Sequence, residues 1–201
     1  MGSKASVAQT ADAVIEKAET EITEAGTVLM KMKNYVHTEC YDKDGNLKWV
    51  DDTHNVVVQD GGKKLFNVMF DASTQLTTWY MGLIDASTTP DITSFTDTMS
   101  SHANWTEEDG YDNITVRQTW NPDTATASSS TITQTNSTTA DFTIDATVNG
   151  TGVSGIFITS ANTRNGTTGT LWATAGFSGG TQSVSDNDVL KVTYTITLTL
   201  S

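Results

Sequence analysis

The stretch DVLKVTYTITLTL, residues 188–200, alternates almost without fault. In an extended chain Leu190, Val192, Tyr194, Ile196, Leu198 and Leu200 face one way, while Lys191, Thr193, Thr195, Thr197 and Thr199 face the other. Eleven alternating residues at about 3.3 Å each span some ~36 Å, roughly twice a mean strand. A strand of this length with two distinct faces needs long partners on its edges and an apolar layer against one face. Turn signals every eight to twelve residues along the preceding chain supply the partners. The expected fold is mainly β: an antiparallel β-sandwich or jelly-roll-like body with an N-terminal amphipathic helix.

Working back from this strand, Phe142 and Ile144 alternate with polar residues, Val153 and Ile156–Ile158 form an apolar run, and Leu171, Trp172 and Phe177 follow a Gly/Thr loop at 162–169. The span 121–130 reads as a low-complexity turn. Ile114, Val116 and Trp120 alternate, and residues 100–105 fit a helical turn. Leu76–Ile84 is apolar nearly throughout, as in a strand buried on both faces. Leu65, Phe66, Val68, Met69 and Phe70 change the period and predict a short helix over 60–70, with Asp60 as its N-cap. Thr27–Tyr41 and Leu47–Val58 read as a hairpin closed by Asp42-Lys43-Asp44-Gly45-Asn46.

The first segment has a different period. Val7, Ala11, Val14, Ile15, Ala18, Ile22 and Ala25 recur at spacings of three and four, which makes one narrow stripe on a helix. Ser6 with Gln9 forms a capping-box pattern, and Gly26 stands where a helix stops. About 20 residues at 1.5 Å make the helix ~30 Å long, and alone it is marginal in water. It must dock on its own domain, a sister subunit or a partner. The expected organisation is an arm at 1–26 and a β body at 27–201, divided into 27–70 (hairpin and short helix) and 71–201 (main sheets).

The net charge of -13 is uneven. Residues 1–70 hold 8 Lys/Arg against 11 Asp/Glu, and residues 71–201 hold 3 against 13. The larger part of the chain repels phosphate, so nucleic acid is not an expected partner. No run of about 18 apolar residues exists, so no membrane span is expected. Residues 1–10 lack an apolar signal core, and folding in a cytosol is the expectation. Cys40 is the only cysteine, which excludes an intramolecular disulfide and a Cys-rich metal site.

No constellation in the sequence calls for catalysis. His37, His54 and His102 lack metal-type spacing. Asp42–Asn46 opens like a calcium loop but lacks its third acid and distant glutamate, so a tight turn is expected. Glu107-Glu108-Asp109 beside Trp105 could be read as glycosidase carboxylates, but a run of acids is more simply a solvated face. The expectation is a non-enzymatic protein with no catalytic, cofactor or metal residues. Trp79 and Trp172 lie in apolar runs and belong in the core; Trp105 and Trp120 lie beside polar residues and are the candidates for a contact surface.

Five phrases together resemble a family of tailed-bacteriophage virion structural proteins. They are ECYDKDGNLKWVDDTHNVVVQDGGKKLFNVMFD (39–71), TTWYMGLID (77–85), DTMSSHANWTEEDGY (97–111), GIFITSANTRNGTTGTLWATAGF (155–177) and DVLKVTYTITLTL (188–200). The resemblance covers about 39–200 and leaves the arm aside. It implies a capsid cement or decoration protein on the capsid exterior, with the major capsid protein as partner and a homo-oligomer, a trimer before a dimer. It brings no catalytic residues. The contact residues expected are Val7, Val14, Ile15 and Ile22 on the arm, with Trp105 and Trp120 on the body. The alternative is a tail fibre or tail-associated receptor-binding adhesin, with those tryptophans stacking on sugars.

Overall fold

A computed structural model describes residues 30–86, 94–112, 115–148 and 152–201. The alternation of residues 188–200 becomes β13 (Val189–Leu200), which pairs antiparallel with β1 (Met30–Tyr41) in an unbroken ladder from Met30↔Leu200 to Tyr41↔Val189. β2 (Leu47–His54) folds back on β1 across the Asp42–Asn46 turn. Gly45 takes φ +83 there, and the Asp42 carboxylate accepts the backbone N–H of Asp44 (2.9 Å) and of Asn46 (2.8 Å). The side-chain amide of Asn46 also bonds this carboxylate, and these bonds hold its pKa below the ordinary value.

On its other edge β13 meets two short strands end to end. β9 (Ala140–Thr143) pairs with Val189–Val192, and β8 (Thr131–Thr135) with Thr195–Thr199. β7 (Thr126–Ser128) completes this first sheet as a hairpin with β8. The low-complexity span 121–130 thus holds a strand, where its Thr/Ser/Asn composition reads as a turn.

Asn136 fills the gap between β8 and β9. Its side-chain amide donates to the carbonyl of Val192 (2.8 Å) and accepts the N–H of Tyr194 (2.7 Å), so it completes the ladder in place of backbone. The same oxygen accepts the indole N–H of Trp120 (3.2 Å), whose ring meets Tyr194 edge-on at 5.4 Å. The Tyr194 hydroxyl in turn accepts from Trp172 (2.8 Å) and Asn55 (2.7 Å), and burial pushes its pKa up.

The second sheet runs in the order β3 (Val56–Val57), β11 (Leu171–Gly176), β10 (Gly152–Thr159), β4 (Trp79–Asp85) and β5 (Glu107–Glu108). β12 (Gln182–Ser183) also pairs with β10, and β6 (Gln118–Trp120) with β4. The sheets pack face to face, as the sandwich expectation requires. The core between them holds Val36, Cys40, Met81, Leu83, Phe142, Ile156, Ile158, Leu190, Val192 and Tyr194. β10 is buried along its whole length. Ile156 and Ile158 point into the main core, while Phe157 joins Val58, Ile84, Met99, Trp105 and Leu171 in a smaller one on the other face.

The sequence run Leu47–Val58 divides between the sheets. β2 stays in the first, the chain crosses at Asn55, and β3 joins β11 in the second. The helix α1 (Gln59–Phe70) follows at once. Its N-cap is Val58, which makes no side-chain cap. Asp60, expected in that role, instead accepts the backbone N–H of Leu171 at 3.1 Å and ties the helix to the end of β11. Gly61 presses on Trp172: a Cβ there would stand 2.7 Å from its carbonyl oxygen. Residues 100–105 form turns and a bridge between Thr98 and Ser101 rather than a helical turn, and the strand expected from Leu76 begins at Trp79. The arm at 1–26 lies outside the described residues.

Two outcomes follow. Asn136→Ala strips partners from Val192, Tyr194 and Trp120, and should lower stability by about 2–4 kcal/mol, measured by urea denaturation. Cys40 is wholly buried between β13 and β2, and burial pushes its thiol up to about 12. Ellman's reagent should therefore label it only when the protein unfolds.

Candidate functional site

One wall of the candidate site comes from α1. Its N-terminal turn is clamped on Trp172 through Gly61, while its C-terminal half turns apolar side chains to solvent. Phe66, Met69 and Phe70 are 64%, 65% and 78% exposed, and Leu65 lies beside them. Phe66 and Phe70, one helical turn apart, have ring centroids 5.9 Å apart. Lys64 holds the segment after the helix by donating to Ser73 Oγ (3.0 Å) and the Thr74 carbonyl (2.8 Å).

The facing wall is the far end of the first sheet. Met30 and Met32 of β1, Ile196 and Leu198 of β13, and Ile132 of β8 line it with Gln134 and Ala125. Met30 and Met32 continue the in-facing alternation of Asn34, Val36, Thr38 and Cys40, past the point where the second sheet covers it. Between the walls lie two hollows of about 310 and 320 Å³ that share Leu65, Met69, Gln134 and Ile196. They form one apolar groove, floored at its inner end by Trp79, Trp120 and Trp172. Apolar side chains concentrated on this scale at one place on a soluble surface mark an interaction site.

The expectation that Trp105 and Trp120 are exposed is corrected: both are buried, and Trp120 shows only an edge at the floor of the groove. They are 2% and 6% exposed. Trp105 stacks on His102 (centroids 3.8 Å apart), lies against Phe157 at 4.9 Å and donates to Asp97 Oδ2 at 3.0 Å. The polar neighbours in sequence reflect what the indole N–H needs inside the fold rather than exposure to water. Val7, Val14, Ile15 and Ile22 lie outside the described residues.

Of the acidic run 107–109, Glu107 and Glu108 turn inward and Asp109 stays exposed. Arg117, its side chain wholly buried, bonds Glu107 through both carboxylate oxygens (2.8 and 2.7 Å) and donates to the carbonyls of Ala161 (2.7 Å) and Gly166 (3.1 Å). Glu107 further accepts the N–H of Asn165 (2.7 Å). Glu108 accepts the N–H of Gly110 (2.7 Å), and Asp109 the side-chain amide of Asn165 (2.8 Å). Arg164 lies over the Tyr111 ring at 3.7 Å and donates to the carbonyls of Asp109 and Tyr111. These groups fasten the 162–169 loop to the 107–118 segment. The solvated-face reading fails for Glu107, because Arg117 supplies the counter-charge across ten residues, a pairing that no local pattern displays, and for Glu108, which is buried on the Gly110 N–H; it holds for Asp109.

A polar cluster sits on the outer face of β1 and β2. Asp52 accepts from the Tyr35 hydroxyl and faces His37 Nδ1 at 2.6 Å, and Glu39 stands 3.5 Å from His37 Nε2. The bond to Asp52 raises the His37 pKa, and the Tyr35 and His37 bonds lower that of Asp52. Among the described residues no group of three or more His, Cys, Asp or Glu side chains is placed to hold a metal ion, and no helix is long and apolar enough to cross a membrane.

No family model, curated protein or solved structure matches the chain.

Arg117→Ala should cost about 3–5 kcal/mol in urea denaturation, because Glu107 stays buried without its partner; Glu107→Gln with Arg117→Met should cost less than the two single changes added together. His37, followed by NMR, should titrate above its ordinary 6.5, and Asp52→Asn should bring the midpoint down. The stabilisation from His37 is fully present below 6.5 and disappears as pH rises through its raised folded value.

Proposed function

We propose that this chain is a structural protein of a tailed-bacteriophage particle, a cement or decoration protein that binds the assembled head through its N-terminal arm and its β body. The observation that carries the reading is the concentration of exposed apolar side chains at one end of the sandwich, around Met30, Phe66, Met69 and Phe70, where the arm joins the body. A body that gathers apolar side chains at one end suits attachment to a lattice of identical subunits. The five phrases of family resemblance support the same reading. So does the acidic surface, which favours protein partners over nucleic acid.

The mechanism is mass action. A protein that binds only the assembled, expanded shell stabilises that state by its binding free energy. Repetition over the lattice, and oligomerisation of the body, turn modest contacts into firm attachment. The tail-fibre reading rested on Trp105 and Trp120 stacking on sugars, and with both indoles inside the body it loses that surface.

Purified protein mixed with empty, expanded heads of the phage that encodes it should pellet at a fixed ratio to the major capsid protein and raise the shell melting temperature. Phe66→Glu with Phe70→Glu should abolish pelleting while the melting temperature of the free protein stays within a few degrees, since both side chains are exposed. Protein that stays in the supernatant overturns the head-binding reading.

A further inference from the structure

Met30, the first residue of β1, is itself part of the groove wall. Only Gly26–Leu29 separate it from Ala25, the last residue of the apolar stripe in the sequence. Five residue steps of at most ~3.6 Å keep Ala25 within about 18 Å of Met30, whatever path the chain takes. The end of the stripe is therefore within reach of the groove.

The two surfaces match in apolar character. A stripe of Val, Ile and Ala is narrow enough for close approach to a helix such as α1 and to the sheet end opposite. Lys31 and Lys33 alternate with Met30 and Met32 and so face away from the groove, and the Lys64 ammonium is taken up by Ser73 and Thr74, which leaves the lining apolar.

We propose that residues 7–25 form a helix that docks in the groove of their own molecule, with Val7, Val14, Ile15 and Ile22 against the wall made by Phe66, Met69 and Phe70. Docking supplies what an isolated helix of this length lacks, a partner for its apolar face. It also covers the exposed side chains of α1. A short tether gives the arm an effective concentration of the order of millimolar, so at micromolar protein it excludes the arm of a second copy. The inference does not depend on head binding. If the arm also grips a shell, the shell must compete for the stripe against the groove.

The test uses the free, full-length protein with no capsid present, so its outcome is separate from that of the pelleting experiment. Cysteines placed by Ile15→Cys and Met69→Cys are treated with a short bis-maleimide; Cys40 is sealed in the core and does not compete. The expected product is an intramolecular cross-link whose yield is independent of protein concentration. Val14→Asp with Ile22→Asp in the same chain should abolish it. In the chain without added cysteines, the same two substitutions should raise hydrophobic-dye fluorescence several-fold and speed amide exchange in 59–70. These aspartates lie outside the β body, and an unchanged near-ultraviolet dichroism spectrum shows that the body is folded. Cross-links found only between molecules assign the groove to a second copy and overturn the proposal. Dye binding and exchange equal in the parent and the aspartate variant also overturn it.

Discussion

The twelve-residue ladder between β1 and β13 is the constraint on which the remaining structure hangs. Each β1 residue has one partner, so every in-facing side chain of the two central strands is set together; a slip of one residue would turn the whole apolar set to solvent. The ladder outruns the second sheet. From Cys40↔Leu190 to Asn34↔Ile196 its inner face is covered, and towards Met30↔Leu200 it projects beyond the main core. The groove is a direct result of that overhang, with α1 as the opposing wall.

Buried polar groups decide which features stay on the surface. Asn136 repairs the break between β8 and β9, and Arg117 with Glu107 draws two loops inward. Asp51 accepts from Ser178 N, Ser178 Oγ and Gly179 N, and so fixes the turn after β11. Each carboxylate or amide satisfies backbone groups that the irregular loops would otherwise leave bare. Their burial removes from the surface much of what looks chemically active in the sequence, including two tryptophans and two of three consecutive acids. Among the described residues, what remains at the surface is the Tyr35–His37–Asp52 cluster on the outer face and the apolar side chains around the groove.

An exposed apolar groove and an apolar stripe joined by a few residues are thermodynamically linked. Whatever occupies one face alters the free energy of covering the other. Uncovered Phe and Met side chains invite non-specific association, and a segment or partner that covers them removes that hazard. If the proposed docking of the arm holds, intramolecular packing sets the threshold that any partner of the groove must exceed.

By itself the sequence determined the β class, the faces of β13, the β1–β2 hairpin with its Asp42–Asn46 turn, and the helix before Phe70. These features are written in periods of two and 3.6 and in turn chemistry, all local signals. Tertiary structure alone decided that Trp105 and Trp120 are interior, that Glu107 meets Arg117, that the chain changes sheets at Asn55, and that Asp60 bonds Leu171 rather than capping its own helix. The physical reason is that periodicity tells which side chains share a face but not what covers that face. Covering depends on partners far away in sequence, and it was the unequal reach of the two sheets that left Met30, Phe66 and Phe70 uncovered.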